Sequence, residues 1–459
     1  MFEINFKKPI HIYFIGIGGI SMSGLAEILL KEGFTISGSD TKSSPLTKKL
    51  SDLGASVYYG QSVSHLSSDM DLVVYTAAIH EDNPEWIHMK ELNLPSLSRA
   101  ELLGQIMKNY NIPIAVSGTH GKTTTTSMIA DVLLASDTDP TLSIGGILKT
   151  IGGNIRIGAS PYFVTEACEY TNSFLSFFPK ISIILNVEED HMDFFHDIHE
   201  IRHSFHQFAS LLPSDGTLII NGEIPSLEEI TKDLKCNILS YGFTPDCDYY
   251  ASDLHYDEFG LGSYTLHRKN KPSIKVSLGV PGRHNISNSL AAFILSDLLS
   301  LKEDQTLQAL LEFKGTDRRF EYKGKIGGLT IIDDYAHHPT EITATLTAAS
   351  CYPHNNLWCL FQPHTYTRTK AFLKDFAKAL SLADKVILAD IYAARETDQL
   401  GISSRTLQEE ILKLGKECYY FPTFDEIETF LLEKTTHGDL LITMGAGDIV
   451  KVGENLLGL

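Results

Sequence analysis

The chain has 459 residues, 43% of them apolar and 21% charged, the make-up of an ordinary globular protein. Disorder and collagen-like structure are excluded, and the length predicts about two to four domains. Lys and Arg number 38 against 57 Asp and Glu, a formal net charge of −19, so no nucleic-acid partner is expected, because phosphate backbones reward clustered cations.

Apolar runs ending in glycine or aspartate alternate with amphipathic stretches. This predicts an α/β fold with largely parallel sheets. The first run, IHIYFI (10–15), is a strand leading into Gly16-Ile-Gly18-Gly19-Ile-Ser21-Met-Ser-Gly24, with LAEILLKEG following as a helix. Glycines there let backbone amides approach a diphosphate at a helix N-terminus. Asp40 closes TISGSD, where a second strand would end, and suits a ribose. Ser21 stands at the third fingerprint position, so NAD, another nucleotide diphosphate and an empty turn all stay open.

The second beginning is IPIAVS (112–117), followed by Gly118-Thr119-His120-Gly121-Lys122-Thr123-Thr124. In a phosphate loop, backbone amides cradle the phosphates. Lys122 reaches the β and γ groups, and the Thr123 hydroxyl faces Mg²⁺. Val116 breaks the strict GxxxxGK[ST] spacing, but GKT between strand and helix is intact. Downstream, Glu166 follows YFVT and His191 closes NVEED. His199-Glu200-Ile201-Arg202-His203 fits the HExxH zinc pattern. Five histidines between 191 and 206 make a chance match easy, and the plain reading is a helix with histidines on its polar side.

Glycines and aromatics around 241–282 predict some antiparallel β structure. RHNISNSLAA (283–292) is a turn entering a helix, where Asn285 and Asn288 have the donor and acceptor to pair an adenine edge. LTIIDDYAHHP (329–339) is the third beginning. Cuts near 108–111 and 314–316 give domains 1–108, 109–314 and 315–459. No segment approaches the ~18 apolar residues that span a bilayer. The first residues lack a signal-peptide core, and six scattered cysteines without a CxxC pair read as reduced cytoplasmic thiols. A cytoplasmic protein without membrane insertion is expected.

GTHGKTTTT in an interior domain resembles the Mur ligase family of ATP-dependent amide ligases. GIGGISMSGLAEIL, EACEYTNSFL, LNVEEDHMD, PGRHNISNSLAA, GTDRRFE, DDYAHHPTEI, FQPHTYTRT and MGAGDI follow the family's order along nearly the whole chain. The resemblance implies three domains: a Rossmann-like UDP-sugar domain, a P-loop ATPase domain and a smaller α/β domain for the amino acid. It implies ATP and Mg²⁺ as cofactors and UDP-N-acetylmuramate and L-alanine as substrates, in peptidoglycan precursor synthesis. Gly16, Gly18, Gly19, Ser21 and Asp40 would hold the UDP-sugar. Thr123, Glu166 and His191 would hold metal. His284, Asn285, Asn288 and Asp334 would hold ATP, with Arg319 reaching the γ-phosphate. Tyr335, His337 and Arg368 look like the amino-acid pocket, a guanidinium suiting an α-carboxylate. Where the family writes EADESD this chain has EACEYT, and Thr365 stands where some relatives carry a second arginine.

Overall fold

The computed structural model describes residues 2–459 apart from Ala77, Ala78, Asn270 and Arg395. Among these, three sheets follow one another along the chain. The first contains β1 (His11–Ile15), β2 (Thr35–Asp40), β3 (Ser56–Tyr59), β4 (Leu72–Tyr75) and β5 (Ser96–Ser98) in the order β3-β2-β1-β4-β5, all parallel. The order reverses at β1, and the crevice at such a switch point is where doubly wound sheets take ligands. IHIYFI supplies β1, and β2 ends on Asp40 as its sequence predicts.

The middle sheet contains β6 (Ile112–Ser117), β7 (Thr141–Leu148), β8 (Gly153–Arg156), β9 (Tyr162–Ala167), β10 (Ile181–Ile184), β11 (Thr217–Asn221), β12 (Asn237–Gly242), β13 (Tyr249–Tyr256), β14 (Leu261–Arg268) and β15 (Lys271–Pro281). Its order is β15-β14-β13-β12-β11-β10-β6-β9-β7-β8. The strands from β12 to β7 run parallel, so apolar runs such as ISII are buried on both faces. At the far end β13, β14 and β15 are antiparallel, as the stretch 241–282 predicts; Asn270 within it lies outside the described residues.

The last sheet contains β16 (Glu321–Ile326), β17 (Leu329–Asp334), β18 (Leu357–Phe361), β19 (Lys385–Leu388), β20 (Glu417–Tyr420) and β21 (Leu440–Met444), ordered β16-β17-β21-β18-β19-β20. Only the β16–β17 pair is antiparallel.

The cores divide unevenly. One apolar cluster runs from Ile12 and Phe14 of the first sheet, through Leu102–Met107, to Phe163, Phe174 and Phe205 of the middle unit. The clusters behind the last sheet contain only its own residues. The helix Arg99–Met107 is the bridge. Ser98 and Glu101 close its start as a capping box, and Gly104 lies so close to the 170–177 segment that a Cβ would stand 1.9 Å from the Ser176 carbonyl oxygen.

Candidate active site

The first glycine loop is braced from within. The amides of Gly16 and Ile17 both donate to the Ser39 carbonyl at 2.9 Å. Asp40 accepts from Gly18 N through Oδ2 and from Thr41 N through Oδ1, each at 2.8 Å. Asp40 thus holds the loop itself, a use the ribose expectation did not include. The helix Ile20–Lys31 begins inside the stretch read as loop, and Gly19 at its start offers no side-chain cap. Ser21 therefore rides on the first helical turn. Arg99, which sequence reasoning passed over, donates to Ser21 Oγ at 3.1 Å.

The second loop joins β6 to the helix Lys122–Ala135, with Gly118 at φ +143° and Gly121 at φ +83°. Both glycines are required by close neighbours: a Cβ would stand 2.9 Å from Leu185 Cβ at Gly118 and 3.0 Å from Asn288 Oδ1 at Gly121. Thr119 accepts from Glu188 N at 2.9 Å, and His120 N donates to Asn186 Oδ1 at 2.7 Å. Lys122 curls over the loop, donating to Gly118 O at 2.5 Å and to Glu169 Oε2 at 2.9 Å. Burial opposes its charge, but the Glu169 carboxylate outweighs burial and raises its pKa. Glu169 of EACEY is thus the direct partner of the phosphate-loop lysine.

Thr123 Oγ1 donates to Glu166 Oε2 at 3.1 Å, and Gly145 N donates to Oε1 at 2.6 Å. His191 sits at φ +54° and stacks on Tyr170, and its Nε2 lies 3.8 Å from Glu169 Oε1. Lys122, Thr123, Glu166, Glu169 and His191 are thereby gathered beyond the C-terminal ends of β6 and β9. Glu166 and Glu169 face one lysine, leaving negative charge for a cation, and this donor set is mostly oxygen, as Mg²⁺ prefers.

Beside the loop lies a cavity of about 800 Å³, lined by Thr124, His284, Asn285, Arg319 and Asp334 among others. Asn285 Nδ2 donates to Pro281 O at 2.7 Å, and Asn288 Nδ2 to Asn285 Oδ1 at 3.1 Å. Both asparagines are buried, with Asn288 packed beside Gly121, whereas His284 projects exposed. Asp334 accepts from Ala336 N, Phe320 N and Thr345 Oγ1 at 2.8–3.1 Å. Three of its roughly four lone-pair sites are used, which leaves one toward the cavity. Burial raises it to about 6. Arg319 lies over the Tyr335 ring.

Across the cavity wall the last unit meets the middle one through polar contacts. His120 Nδ1 pairs with Glu341 Oε1 at 3.1 Å, and its Nε2 lies 3.6 Å from Glu188. Burial pulls this imidazole down, but the two carboxylates outweigh it and lift it to about 9. Three consecutive residues reach across: Glu188 Oε2 accepts from Thr340 Oγ1 at 2.7 Å, Glu189 O meets His338 Nε2 at 3.1 Å, and Asp190 Oδ1 accepts from Arg368 Nη2 at 2.9 Å. His338 also caps the helix Pro339–Ala349. Arg368, expected to be free for an α-carboxylate, is thus already ion-paired. It stands with His364, His337 and Tyr335, so the residues expected in that pocket are brought together. Burial lowers His337 to about 4, so it is neutral at pH 7. Thr365, at φ +65°, caps the helix Tyr366–Ala371. Of the HExxH residues, His199 is exposed and pairs with Glu229 at 3.2 Å, and Glu200 accepts from His196 N at 2.7 Å. The near meeting of His120, Glu188 and His338 joins residues far apart in sequence, and no spacing signals it.

Comparison with known proteins agrees along the chain. The Mur ligase family catalytic domain matches residues 11–111, the Mur ligase middle domain 116–296 and the Mur ligase glutamate ligase domain 318–447. UDP-N-acetylmuramate–L-alanine ligase of Agathobacter rectalis is 60% identical over 457 residues, covering all of both chains. The protein of that name in Clostridium botulinum strain Langeland is 50% identical over 458 residues, again covering all of both chains. Among solved structures, UDP-N-acetylmuramate-alanine ligase MurC from Thermotoga maritima has a TM-score of 0.80 at 29% identity, covering 98% of each chain. The murein peptide ligase mpl of Psychrobacter arcticus has 0.72 at 25% identity, also covering 98% of each. With three matched domains and full-length identity of this degree, the chain belongs to the Mur ligase family.

Proposed function

We propose that the chain joins L-alanine to the lactyl carboxylate of UDP-N-acetylmuramate, driven by ATP, in cytoplasmic peptidoglycan precursor synthesis. The observation that carries this reading is the 60% identical full-length relative of that activity, against 25% for the murein peptide ligase. No helix of the described residues is long and apolar enough to cross a membrane. We assign the sugar nucleotide to residues 1–108, ATP to 109–314 and the amino acid to 315–459.

In the first step a carboxylate oxygen attacks the ATP γ-phosphorus in line, and ADP leaves. In the second, the alanine amine attacks the acyl phosphate, inorganic phosphate leaves and the amine proton passes to solvent. Lys122, once turned from Glu169, neutralises the transferring phosphoryl group from the loop side. Arg319 does so from the opposite wall. Both act by charge and position. Thr123, Glu166 and His191 would hold Mg²⁺, with Glu169 beside them; when bound, the ion supplies charge neutralisation at the phosphates. Tyr335, His337 and Arg368 orient the amino acid, with Arg368 sharing its fork between Asp190 and the incoming carboxylate. Closure of the last unit over the cavity keeps water from the acyl phosphate.

The test is ADP release with UDP-N-acetylmuramate and each amino acid in turn, and with an L-alanyl peptide. ADP should form with L-alanine; preference for the peptide would assign the murein peptide ligase reaction instead. In the same assay Lys122→Ala should lose at least ~10²-fold in turnover. Near-normal turnover would remove Lys122 from the chemistry.

A further inference from the structure

The pairing of His120 leaves one of its nitrogens idle. Nδ1 donates to Glu341 Oε1 at 3.1 Å. Nε2 is buried and, among the described residues, has no hydrogen-bond partner. Buried polar atoms are seldom left so, and each exception calls for an explanation. What Nε2 faces supplies one. Glu188 Oε2 lies 3.6 Å away, and the His338 ring is tilted beside the His120 ring with centroids 4.7 Å apart. One ligand atom from each of the three side chains falls within 4.8 Å of the others. Bonds of ~2 Å to a tetrahedral ion set its ligand atoms roughly 3.3 Å apart. His120 and Glu188 are almost at that spacing, and His338 has only a short way to travel.

The surroundings hold each ligand in the state that a metal needs. With Nδ1–H on a carboxylate, a neutral His120 carries its lone pair on Nε2, the arrangement in which a carboxylate orients a ligating histidine. His338 donates Nε2–H to Glu189 O at 3.1 Å. Its lone pair is then on Nδ1, which accepts a long 3.4 Å bond from Thr340 N. Burial holds His338 below its ordinary pKa, so this ring is neutral at pH 7. Glu188 is fixed by the Thr340 hydroxyl at 2.7 Å. The two carboxylates that hold a proton on His120 against burial equally favour a divalent ion in its place. Two imidazoles and one carboxylate suit zinc or a related transition ion, whereas Mg²⁺ prefers oxygen. The acid cluster of Thr123, Glu166 and His191 shares none of these residues.

We propose that His120, Glu188 and His338 form a binding site for a zinc-class transition ion, with water as the fourth ligand. His120 and Glu188 belong to the middle unit and His338 to the last, so the ion clasps the two units together. The site does not depend on which substrates the chain takes.

The experiment is equilibrium dialysis of zinc against the untagged full chain in excess Mg²⁺, with Co²⁺ as the spectroscopic stand-in. One zinc should bind per chain, and Co²⁺ should show the visible absorption of a four-coordinate nitrogen and oxygen site. Glu188→Gln and His338→Asn, one from each side of the seam, should each weaken zinc at least ~10-fold, since loss of even an outer partner costs that much. Glu341→Gln, which alters the support of His120, should weaken it by about 10- to 100-fold. His199→Ala and Glu166→Gln should bind zinc as the wild type does. Melting temperatures without metal show whether each variant folds, and if one fails the other ligand variant decides. A wild type that binds no zinc in Mg²⁺ overturns the site, and so does binding that survives the ligand substitutions. Loss in His199→Ala or Glu166→Gln overturns it too, by moving the ion to the exposed helix or to the acid cluster. A near-ultraviolet thiolate band with Co²⁺ does the same, by placing the ion on a cysteine such as the exposed Cys351.

Discussion

The two boundaries between the three units are built from different materials. Between the first and middle units the seam is dry. Ile12, Leu102, Met107, Phe163 and Phe174 share one apolar cluster, and Gly104 touches backbone across it. Between the middle and last units the seam is largely polar, with His120–Glu341, Thr340–Glu188, His338–Glu189 and Arg368–Asp190, beside a ring contact of Phe259 with Tyr352. Apolar burial is lost when a seam opens and has no substitute in water. Polar contacts exchange for water at little net cost. The first two units should therefore move as one body, and the last unit should be the one that opens and closes, the ordinary behaviour of a small polar interface between domains. On the proposed assignment this would sort the substrates: the sugar nucleotide would meet a fixed cleft, and ATP and the amino acid the moving one.

The contrast breaks most sharply at Gly104. Gly104→Val puts side-chain atoms into the Ser176 backbone and should cost about 4 kcal/mol or more of stability, read from the urea midpoint; a loss under 1 kcal/mol would mean the dry seam yields easily. Next is Arg368→Ala, which strands the buried Asp190 carboxylate. Removing one partner of such a pair costs about 3 kcal/mol, here taken from closure rather than from folding, because the last unit keeps its own core. The radius of gyration should rise, and KM for L-alanine should rise far more than KM for ATP. A compact variant with uniform kinetic losses would contradict a polar hinge.

A pH series sharpens the comparison further. His120 stands at about 9 in the folded chain against ~6.5 when unfolded. The folded state thus holds an extra proton between these values. Its contribution is full below pH 6.5 and is lost as pH rises toward 9, on the order of 3 kcal/mol. His337, depressed to about 4, works in the opposite direction: its contribution is present above pH 6.5 and lost as pH falls toward 4. Stability measured from pH 6.5 to 9 should fall in the wild type and fall less in His120→Gln; identical slopes would remove His120 from the seam. The smallest effect expected is for Thr340→Val, which deletes one hydrogen bond at an exposed position, worth about 0.5–1 kcal/mol. A larger loss of closure in the scattering profile would show that the contacts act as a set.

Much of this was legible in the chain because it is local. IPIAVS is β6 from end to end, TISGSD is β2, and the glycines of both loops fall where β1 and β6 stop. Lys122, Thr123, Glu166 and His191 converge because strand ends of a parallel sheet converge. What stayed hidden depends on partners far apart in sequence. Asp190 lies 178 residues from Arg368, and His120 lies 221 from Glu341. No periodicity relates such positions. Arg99 was missed for the same reason, its partner Ser21 being 78 residues away. HExxH shows the converse: local spacing was perfect, yet His199 faces solvent and answers Glu229.

The contacts of Glu188, Glu189 and Asp190 with the last unit come from three adjacent residues, and the next residue along is His191. A pull on that unit is therefore transmitted through covalent backbone, within one peptide bond, to the imidazole assigned to the metal. The 188–191 segment works like a short lever with the third unit at one end and the acid cluster at the other. Seating the last unit and positioning His191 would then be a single mechanical event. Inserting one residue between 190 and 191 would leave every side chain present and uncouple the two.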